Sequence, residues 1–377
     1  MNEVTIIIPN YNGSDDLRTC LLALEKQTHP AEVIVVDDGS SDHSTEVAEA
    51  FVRKAGPTEE ARPAVSAEAE EDPAVRGIAH LAVLRHETNR GFAAAVNTGI
   101  RAAKTPYVIL LNNDTEPEPG FTEALVRAIQ KRKKAFAVQG LLLQGGMSHP
   151  PQAEDNAQTE ALRKPGNDAD VIDSSGDYFC ALGWAFSPGR DKPASAYNRP
   201  TRIMSACAGA AIYDRALLEE LGLFDEAHFC YLEDVDLSLR AYRAGWRIYF
   251  EPSARVLHKA SASSGSRYNA FKTRLTTANS LYTAYKNMPA WLIVLYAPLL
   301  LAGFAIKGVF YARQGFGKDF VTGLREGAAK IAAYRETGGF LPLQDSAGAE
   351  KASPLSLRRD AMLAMELLGN CVRRIRG

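Results

Sequence analysis

The chain has 377 residues and 46% hydrophobic content, enough for a sizeable core in one large domain or two. Its 43 Lys and Arg against 45 Asp and Glu leave a formal net charge of −2, so there is no general electrostatic attraction to nucleic acid and any phosphate contact must be local. Five cysteines, odd in number and without a C-x-x-C pair, argue against structural zinc and a disulfide framework and fit a reducing cytoplasm.

The opening M-N-E-V-T-I-I-I-P-N has no basic n-region and no long apolar run, so no signal peptide is expected. Residues 4–8 predict a first strand, followed by P-N-Y-N-G and the helical pattern L-R-T-C-L-L-A-L-E-K-Q. Residues 33–36 predict a second strand ending in D-D-G-S-S-D, which completes a βαβ unit. Ser41-Asp42 cap the next helix. Residues 55–77, rich in Ala, Glu and Pro and without periodicity, are expected to form a flexible exposed insertion. A third strand at 80–84 leads through R-H-E-T-N-R-G-F to a helix at 93–103. The fourth strand, Y-V-I-L-L, has the continuous apolar run of a strand covered on both faces, as in a parallel sheet, and ends abruptly in Asn112-Asn113-Asp114.

After a helix at 121–134, residues 145–200 are Gly, Pro and polar rich, and a loop of that length is functional or disordered. S-A-C-A-G-A-A-I-Y-D-R predicts a strand and E-D-V-D-L-S-L-R-A-Y-R-A-G a helix closed by Gly245. The strand segments W-R-I-Y-F and V-L-H follow. Together these elements predict a doubly wound α/β catalytic domain over residues 1–260 and a helical extension over 261–377. In that extension, residues 287–306 carry no charge and are just long enough to cross a hydrocarbon core of ~30 Å. Pro289, Pro298 and Gly303 complicate a simple spanning helix, and a half-inserted hairpin or a buried helix are the alternatives. From residue 301 onward, twelve Lys and Arg against seven Asp and Glu suit an anionic cytoplasmic leaflet, so association with a membrane surface is expected.

Parallel topology would bring four polar clusters to one edge: Pro9-Asn10-Tyr11-Asn12, Asp37-Asp38-Gly39-Ser40, Asn89-Arg90-Gly91-Phe92 and Asn112-Asn113-Asp114. Ligands of open α/β sheets sit beyond the carboxyl ends of the strands. A nucleotide needs an aromatic face for its base and polar partners for the base and ribose, which Tyr11 with Asp37 or Asp38 would supply. Asp114, with Asn112 beside it, offers hard oxygen ligands to a divalent cation bridging two phosphates. No G-x-x-x-x-G-K-[ST] and no strand-linked G-x-G-x-x-G is present, so the cation would replace the usual phosphate cradles.

The ordered set I-P-N-Y-N, V-V-D-D-G-S-S-D, N-R-G-F-A-A-A-V-N-T-G, L-L-N-N-D-T-E, C-A-G-A-A-I-Y-D and F-D-E-x-H-F-C-Y-L-E-D-V-D-L-S-L-R resembles a family 2 glycosyltransferase of GT-A fold. Within that family it is most similar to the bacterial rhamnosyltransferase-like members that build cell-surface polysaccharides. The resemblance covers about residues 3–260, and the R-L-T-T-A-N-S-L-Y-T-A-Y-K-N-M-P tail is similar to the membrane-proximal region of those members.

It implies a GT-A mixed sheet flanked by helices and a donor-binding set of Pro9, Tyr11, Asn12, Asp37, Asp38, Asn89, Arg90, Gly91, Asn97, Asn112 and Asn113. In that set Tyr11 stacks on the base and Asp38, with Asp37, hydrogen-bonds the base or ribose. Asn112-x-Asp114 occupies the D-x-D position, with Asp114 a ligand of Mg²⁺ or Mn²⁺ and His258 completing the metal site. The Asn is a departure that keeps a carbonyl ligand but adds no charge. Asp234 matches the catalytic base of E-D-x-D, flanked by Glu233, with Asp236 on the acceptor side.

The implied reaction is inverting transfer from a dTDP- or UDP-sugar, dTDP-rhamnose being the first guess. The implied acceptor is a glycan or lipid-linked hydroxyl at the cytoplasmic face of a bacterial inner membrane. A sugar-phosphate nucleotidyltransferase would share the sheet and metal but usually needs a Gly-rich phosphate loop that P-N-Y-N-G does not provide. An inactive sugar-nucleotide-binding scaffold would have no need of Asp234.

Overall fold

The computed structural model describes residues 3–55, 77–145, 170–259, 268–338 and 354–376. The expected insertion therefore lies almost wholly outside the described residues, as does 146–169 of the long loop.

Four apolar segments form the parallel half of one sheet: β1 (Val4–Asn10), β2 (Ala31–Asp37), β3 (Ile78–Arg85) and β4 (Tyr107–Leu111), in the order β3-β2-β1-β4. Three helices, α1 (Ser14–Glu25), α2 (Ser44–Ala55) and α3 (Phe92–Ala102), make the crossovers. Strands buried on both faces have no polar side, which is why V-T-I-I-I and Y-V-I-L-L read as continuous apolar runs. One face packs on α1, α2 and α4 (Phe121–Lys131) through Leu17, Leu21, Val47, Phe51, Phe121 and Leu125. The opposite face packs on α3 through Ala93, Val96 and Ile100.

Beyond β4 the sheet turns mixed. β5 (Thr115–Pro117), β6 (Ala135–Gln144), β7 (Ile172–Ser174), the small hairpin β8 (Tyr178–Cys180) with β9 (Trp184–Phe186), and β10 (Thr201–Ile203) come next along the chain. They are followed by β11 (Ala210–Asp214), α5 (Arg215–Glu220), α6 (Glu233–Ala244) and β12 (Arg247–His258). β11 inserts antiparallel between β4 and β6, giving the full order β10-β12-β6-β11-β4-β1-β2-β3.

Several expectations are corrected here. β6 is absent from the sequence prediction because Gln139 and Gly140 interrupt its apolar run, although all but its last residue are buried. The segments around W-R-I-Y-F and V-L-H are one strand, irregular where the pairing with β6 slips between Glu251 and Arg255, around Pro252. The helix expected to reach residue 134 ends at Lys131.

The chain ends in α7 (Ala270–Asn287), α8 (Ala290–Arg313), α9 (Gly317–Glu336) and α10 (Pro354–Arg376). A third apolar cluster joins α8 and α10 to α6 and β8 through Leu292, Tyr296, Leu363, Leu367, Val235 and Phe179. α8 is not the buried helix offered as one alternative, since only Leu292, Tyr296 and Gly303 of its 24 residues are buried.

Candidate active site

Parallel register sets Asn10 beside Asp37, and the strand ends are sewn together from there. Asn10 Nδ2 donates to Asp37 Oδ1 and Ser40 Oγ, both at 3.4 Å, while Asn113 Nδ2 donates to Asn10 Oδ1 at 2.6 Å. Asn12, in a left-handed conformation that Asn tolerates, accepts from the Ser41 amide at 2.8 Å. Tyr11, just past Pro9 and Asn10, is 42% exposed and presents a ring at this rim.

Asp38 is buried, and its carboxylate faces inward. Oδ1 accepts from the Arg90 amide at 2.9 Å and meets His86 Nδ1 at 2.7 Å, while Oδ2 accepts from the Gly91 amide at 2.8 Å. Asn89 Oδ1 accepts from the same Gly91 amide. Asp37 accepts from the Ser40 amide and faces Arg85 at 3.4 Å. These two acids, expected to meet the base or ribose, thus shape the rim by fixing the 89–91 loop and the 38–40 turn. The Arg90 guanidinium pairs with Glu226 at 3.1 Å. Gly91 has φ +90°, and a Cβ there would fall 2.6 Å from the Phe229 carbonyl, so only glycine fits. Asn97, expected in the donor pocket, is buried elsewhere. Its amide donates to Phe224 O and Glu226 Oε1 and its oxygen accepts from Phe224 N, so it braces α3 against the 224–226 segment.

At the end of β4, the Asn112 amide donates to Gly209 O and the Asn112 carbonyl accepts from Thr115 Oγ1, closing the turn that presents Asp114. The Asn112 side chain lies against Gly209. Pairing of Thr115 with His258 brings His258 Nε2 to 3.3 Å from Asp114 Oδ1. On the other side of the ring, Nδ1 meets Asp173 Oδ2 at 2.7 Å, and Arg190 pairs with Asp173 at 2.9 Å. Burial works against a charge on His258, but the hydrogen bonds to Asp114 and Asp173 outweigh it and raise its pKa to about 9. The donor set fits a divalent cation that takes the place of the Nε2 proton: a carboxylate oxygen and an imidazole nitrogen already adjoin, and Asp173 would accept from Nδ1 while Nε2 faced the metal.

Asp234 opens α6 after an unusual approach, in which Phe229, Tyr231 and Leu232 all have φ between 63° and 68°. Left-handed backbone costs a non-glycine residue about 1–2 kcal/mol. Asn279 of α7 holds the segment in place: its amide donates to the carbonyls of His228, Cys230 and Tyr231, and Lys330 of α9 donates to Asn279 Oδ1 at 2.6 Å. Asp234 Oδ1 accepts from the Val235 amide at 2.7 Å and Oδ2 from the Ala208 amide at 3.3 Å. Ala208 adjoins Gly209, whose carbonyl receives the Asn112 amide, so the Asp114 turn and Asp234 border the same loop. Burial raises the Asp234 pKa. Beside it, burial and the Asp234 charge push Glu233 well up, and Glu233 Oε2 is buried without a hydrogen-bond partner.

Asp236 lies about 200° around the helix from Asp234. It is fully buried and takes donations from Arg240 and Lys286, with Asn287 on Oδ1. Burial opposes its charge, yet Lys286 and Arg240 hold its carboxyl far below the usual range. Asp236 therefore anchors α6 to α7 and does not reach an acceptor, as was expected of it.

Two acids escaped sequence reasoning. Asp173, from β7, orients His258, and Asp177, four residues later, has a carboxylate oxygen within 4.8 Å of ligand atoms of both Asp234 and Cys207. Burial, then Asp234 and Asp173, raise Asp177 to about 7. Cys207 is a half-buried thiol held well above its ordinary pKa by desolvation and the nearby Asp177 and Asp234, hence unreactive. The only sequence signal was D-S-S-G-D, two acids around a glycine turn inside an aperiodic stretch. Behind them Gln139 of β6 donates to Ser174 Oγ at 3.0 Å and accepts from the Cys207 amide at 2.7 Å, fixing both walls.

Residues 5–222, more than half of the chain, match the profile described as Glycosyl transferase family 2. A Mycobacterium tuberculosis protein named N-acetylglucosaminyl-diphospho-decaprenol L-rhamnosyltransferase is 27% identical over 274 residues, 69% of this chain and 77% of that protein. An Escherichia coli protein, named uncharacterized glycosyltransferase YibD, is 36% identical over 126 residues. That match takes in 33% of this chain and 30% of the relative, so the chain spans under a third of that relative's length. The solved structure of GalNAc-T7 with UDP, GalNAc and Mn²⁺ superposes with a TM-score of 0.56 at 16% identity, over 89% of this chain and 58% of that one, a likeness of fold. With the mixed sheet and the order of its strand-end motifs already in hand, the match across residues 5–222 settles the matter of kinship: the chain belongs to glycosyltransferase family 2 and has the GT-A fold.

Proposed function

We propose that the protein is a metal-dependent inverting transferase that moves a sugar from a nucleoside diphosphate to a hydroxyl of a lipid-linked or cell-surface glycan acceptor at the cytoplasmic face of a membrane. The observation that supports this reading is the shared loop: Asn112 and Asp234 bond to the neighbouring residues Gly209 and Ala208, so the leaving-group side and the base side would border one loop. Tyr11 offers its exposed ring to the base, and the 89–91 loop that Asp38 holds borders the donor. Asp114 and His258 would hold Mg²⁺ or Mn²⁺, the imidazole favouring Mn²⁺, and the cation would offset charge on the departing diphosphate.

Asp234 accepts the acceptor hydroxyl's proton as its oxygen bonds to the anomeric carbon, and the bond from that carbon to the diphosphate oxygen breaks on the opposite face. Burial brings the Asp234 carboxylate closer in basicity to the alcohol it deprotonates. The mycobacterial relative's name makes rhamnose the first sugar to try, offered on thymidine diphosphate as the family resemblance implies, with UDP-sugars next.

The test is a donor panel with product analysis. Asp234→Asn should lower kcat by about 10²–10⁴ while leaving donor affinity intact, and excess chelator should abolish turnover until Mn²⁺ is restored. Unchanged turnover in Asp234→Asn would remove the base assignment, and activity in chelator would remove the metal.

A further inference from the structure

We propose that α8 and α10 form a docking face for an anionic lipid bilayer, with α8 lying in the membrane plane and not crossing it. The docking stands on geometry alone; its meaning for catalysis rests on the transferase reading above.

α8 spans about 36 Å at 1.5 Å per residue, and it rests on the protein along that length. Leu292 and Tyr296 enter the cluster shared with α6. Further along, Trp184 Nε1 donates to Gly303 O at 3.1 Å, and a Cβ at Gly303 would lie 2.1 Å from Leu182 O, so glycine is what lets the helix seat. Lys307 then donates to Ser280 Oγ at 3.1 Å, and the Phe310 ring meets Tyr268 edge-on at 5.4 Å. A helix crossing a hydrocarbon layer of ~30 Å would carry one end far from the water-soluble body. Here both ends rest on it.

The side turned away from the protein is apolar: Val294 is 75%, Leu295 59% and Leu301 72% exposed, and Met365 of α10 is 68% exposed. A lone in-plane helix needs a polar face toward water. In α8 the protein covers that side, which accounts for its being hydrophobic all round. The helices also carry the charge that suits headgroup phosphates. Arg313 of α8, Lys318 and Arg325 of neighbouring α9 and Arg358 of α10 are exposed; the acids Glu326, Asp360 and Glu366 pair with Arg274, Arg243 and Arg373, and Asp319 and Glu336 leave the basic side chains in excess.

The same cluster that seats these helices contains Leu232 and Val235, which flank the Glu233-Asp234 pair, and Phe179, two residues past Asp177. The helices that would dock thus pack on the segment that carries the proposed base, and an acceptor with a lipid tail held at that bilayer would have to reach Asp234 from the side of these helices.

The full chain is floated with vesicles of phosphatidylcholine, with and without phosphatidylglycerol. The wild type should rise with the anionic vesicles and much less with the neutral ones, and a variant carrying Leu295→Glu and Leu301→Glu should stay at the bottom. In inverted membrane vesicles, Ala290→Cys and Gln314→Cys should both react with an impermeant maleimide above the wild-type background. Labelling of Gln314→Cys only after lysis would establish a crossing helix and overturn the proposal. So would a wild type that ignores both vesicle types, or one that forms a dimer which Leu295→Glu abolishes. These readouts involve no sugar transfer, so their failure is distinct from failure of the transferase reading.

Discussion

Asp234 and Asp236 are two positions apart in one motif and have opposite fates, because a helix turns about 200° between them. One faces the loop at Ala208 and the other is sealed among Arg240, Lys286 and Asn287. Removing one partner of such a buried set leaves charges unmet, so Asp236→Ala should cost ~3–5 kcal/mol in urea unfolding. Asp177 can be read through pH. Both folded and unfolded chains hold its proton below the ordinary value near 4, and only the folded chain holds it from there to about 7. The stability tied to that proton is thus full in acid and lost as pH rises through about 7. Asp177→Asn, which cannot ionise, should gain melting temperature relative to the wild type across that window by several degrees and run parallel above it; a constant offset at every pH would contradict the assignment. The motif residues were legible one by one in the sequence. What their side chains do was not, since Asn97, Asp38 and Asp236 turn inward for reasons set by neighbours far along the chain.

Strands with unbroken apolar runs declared themselves, and the four strand-end clusters do meet at one edge because β1 to β4 run parallel. β6 did not, since the polar Gln139 at its centre serves as a brace for Ser174 and Cys207. Nor did the short β7 and β8, whose three-residue lengths leave no period to detect. The segment leading into α6 is the clearest case of an element whose shape is imposed from outside: a stretch with three positive-φ residues is tied down by one carboxamide from α7, through the carbonyls of His228, Cys230 and Tyr231. Asn279→Ala would strip partners from buried carbonyls, at about 1–3 kcal/mol. Its signature should be a fall in kcat larger than any rise in donor KM, since the carboxamide bonds the segment leading to Asp234 directly and reaches the 89–91 loop only through Phe229. A rise in donor KM alone would show that Asn279 acts elsewhere.

At the scale of the molecule, the match to the family ends at residue 222, before the proposed base and before every helix that supports it. The expected boundary near residue 260 divides a sequence, but the third apolar cluster crosses it, with Phe179, Leu232 and Val235 on one side and Leu292, Tyr296 and Leu363 on the other. Ending the chain after Lys259 should therefore yield a protein without a cooperative melting transition. A truncated chain that melts sharply and shifts upward with donor and Mn²⁺ would show the helices to be an addendum. The turn between β7 and β8 that carries Asp173 and Asp177 has a further consequence. One acid bonds the imidazole next to Asp114 and the other adjoins Asp234, so the proposed bond-breaking and bond-making sides would share a single short ruler. Any displacement of that turn would move both proposed halves of the reaction together.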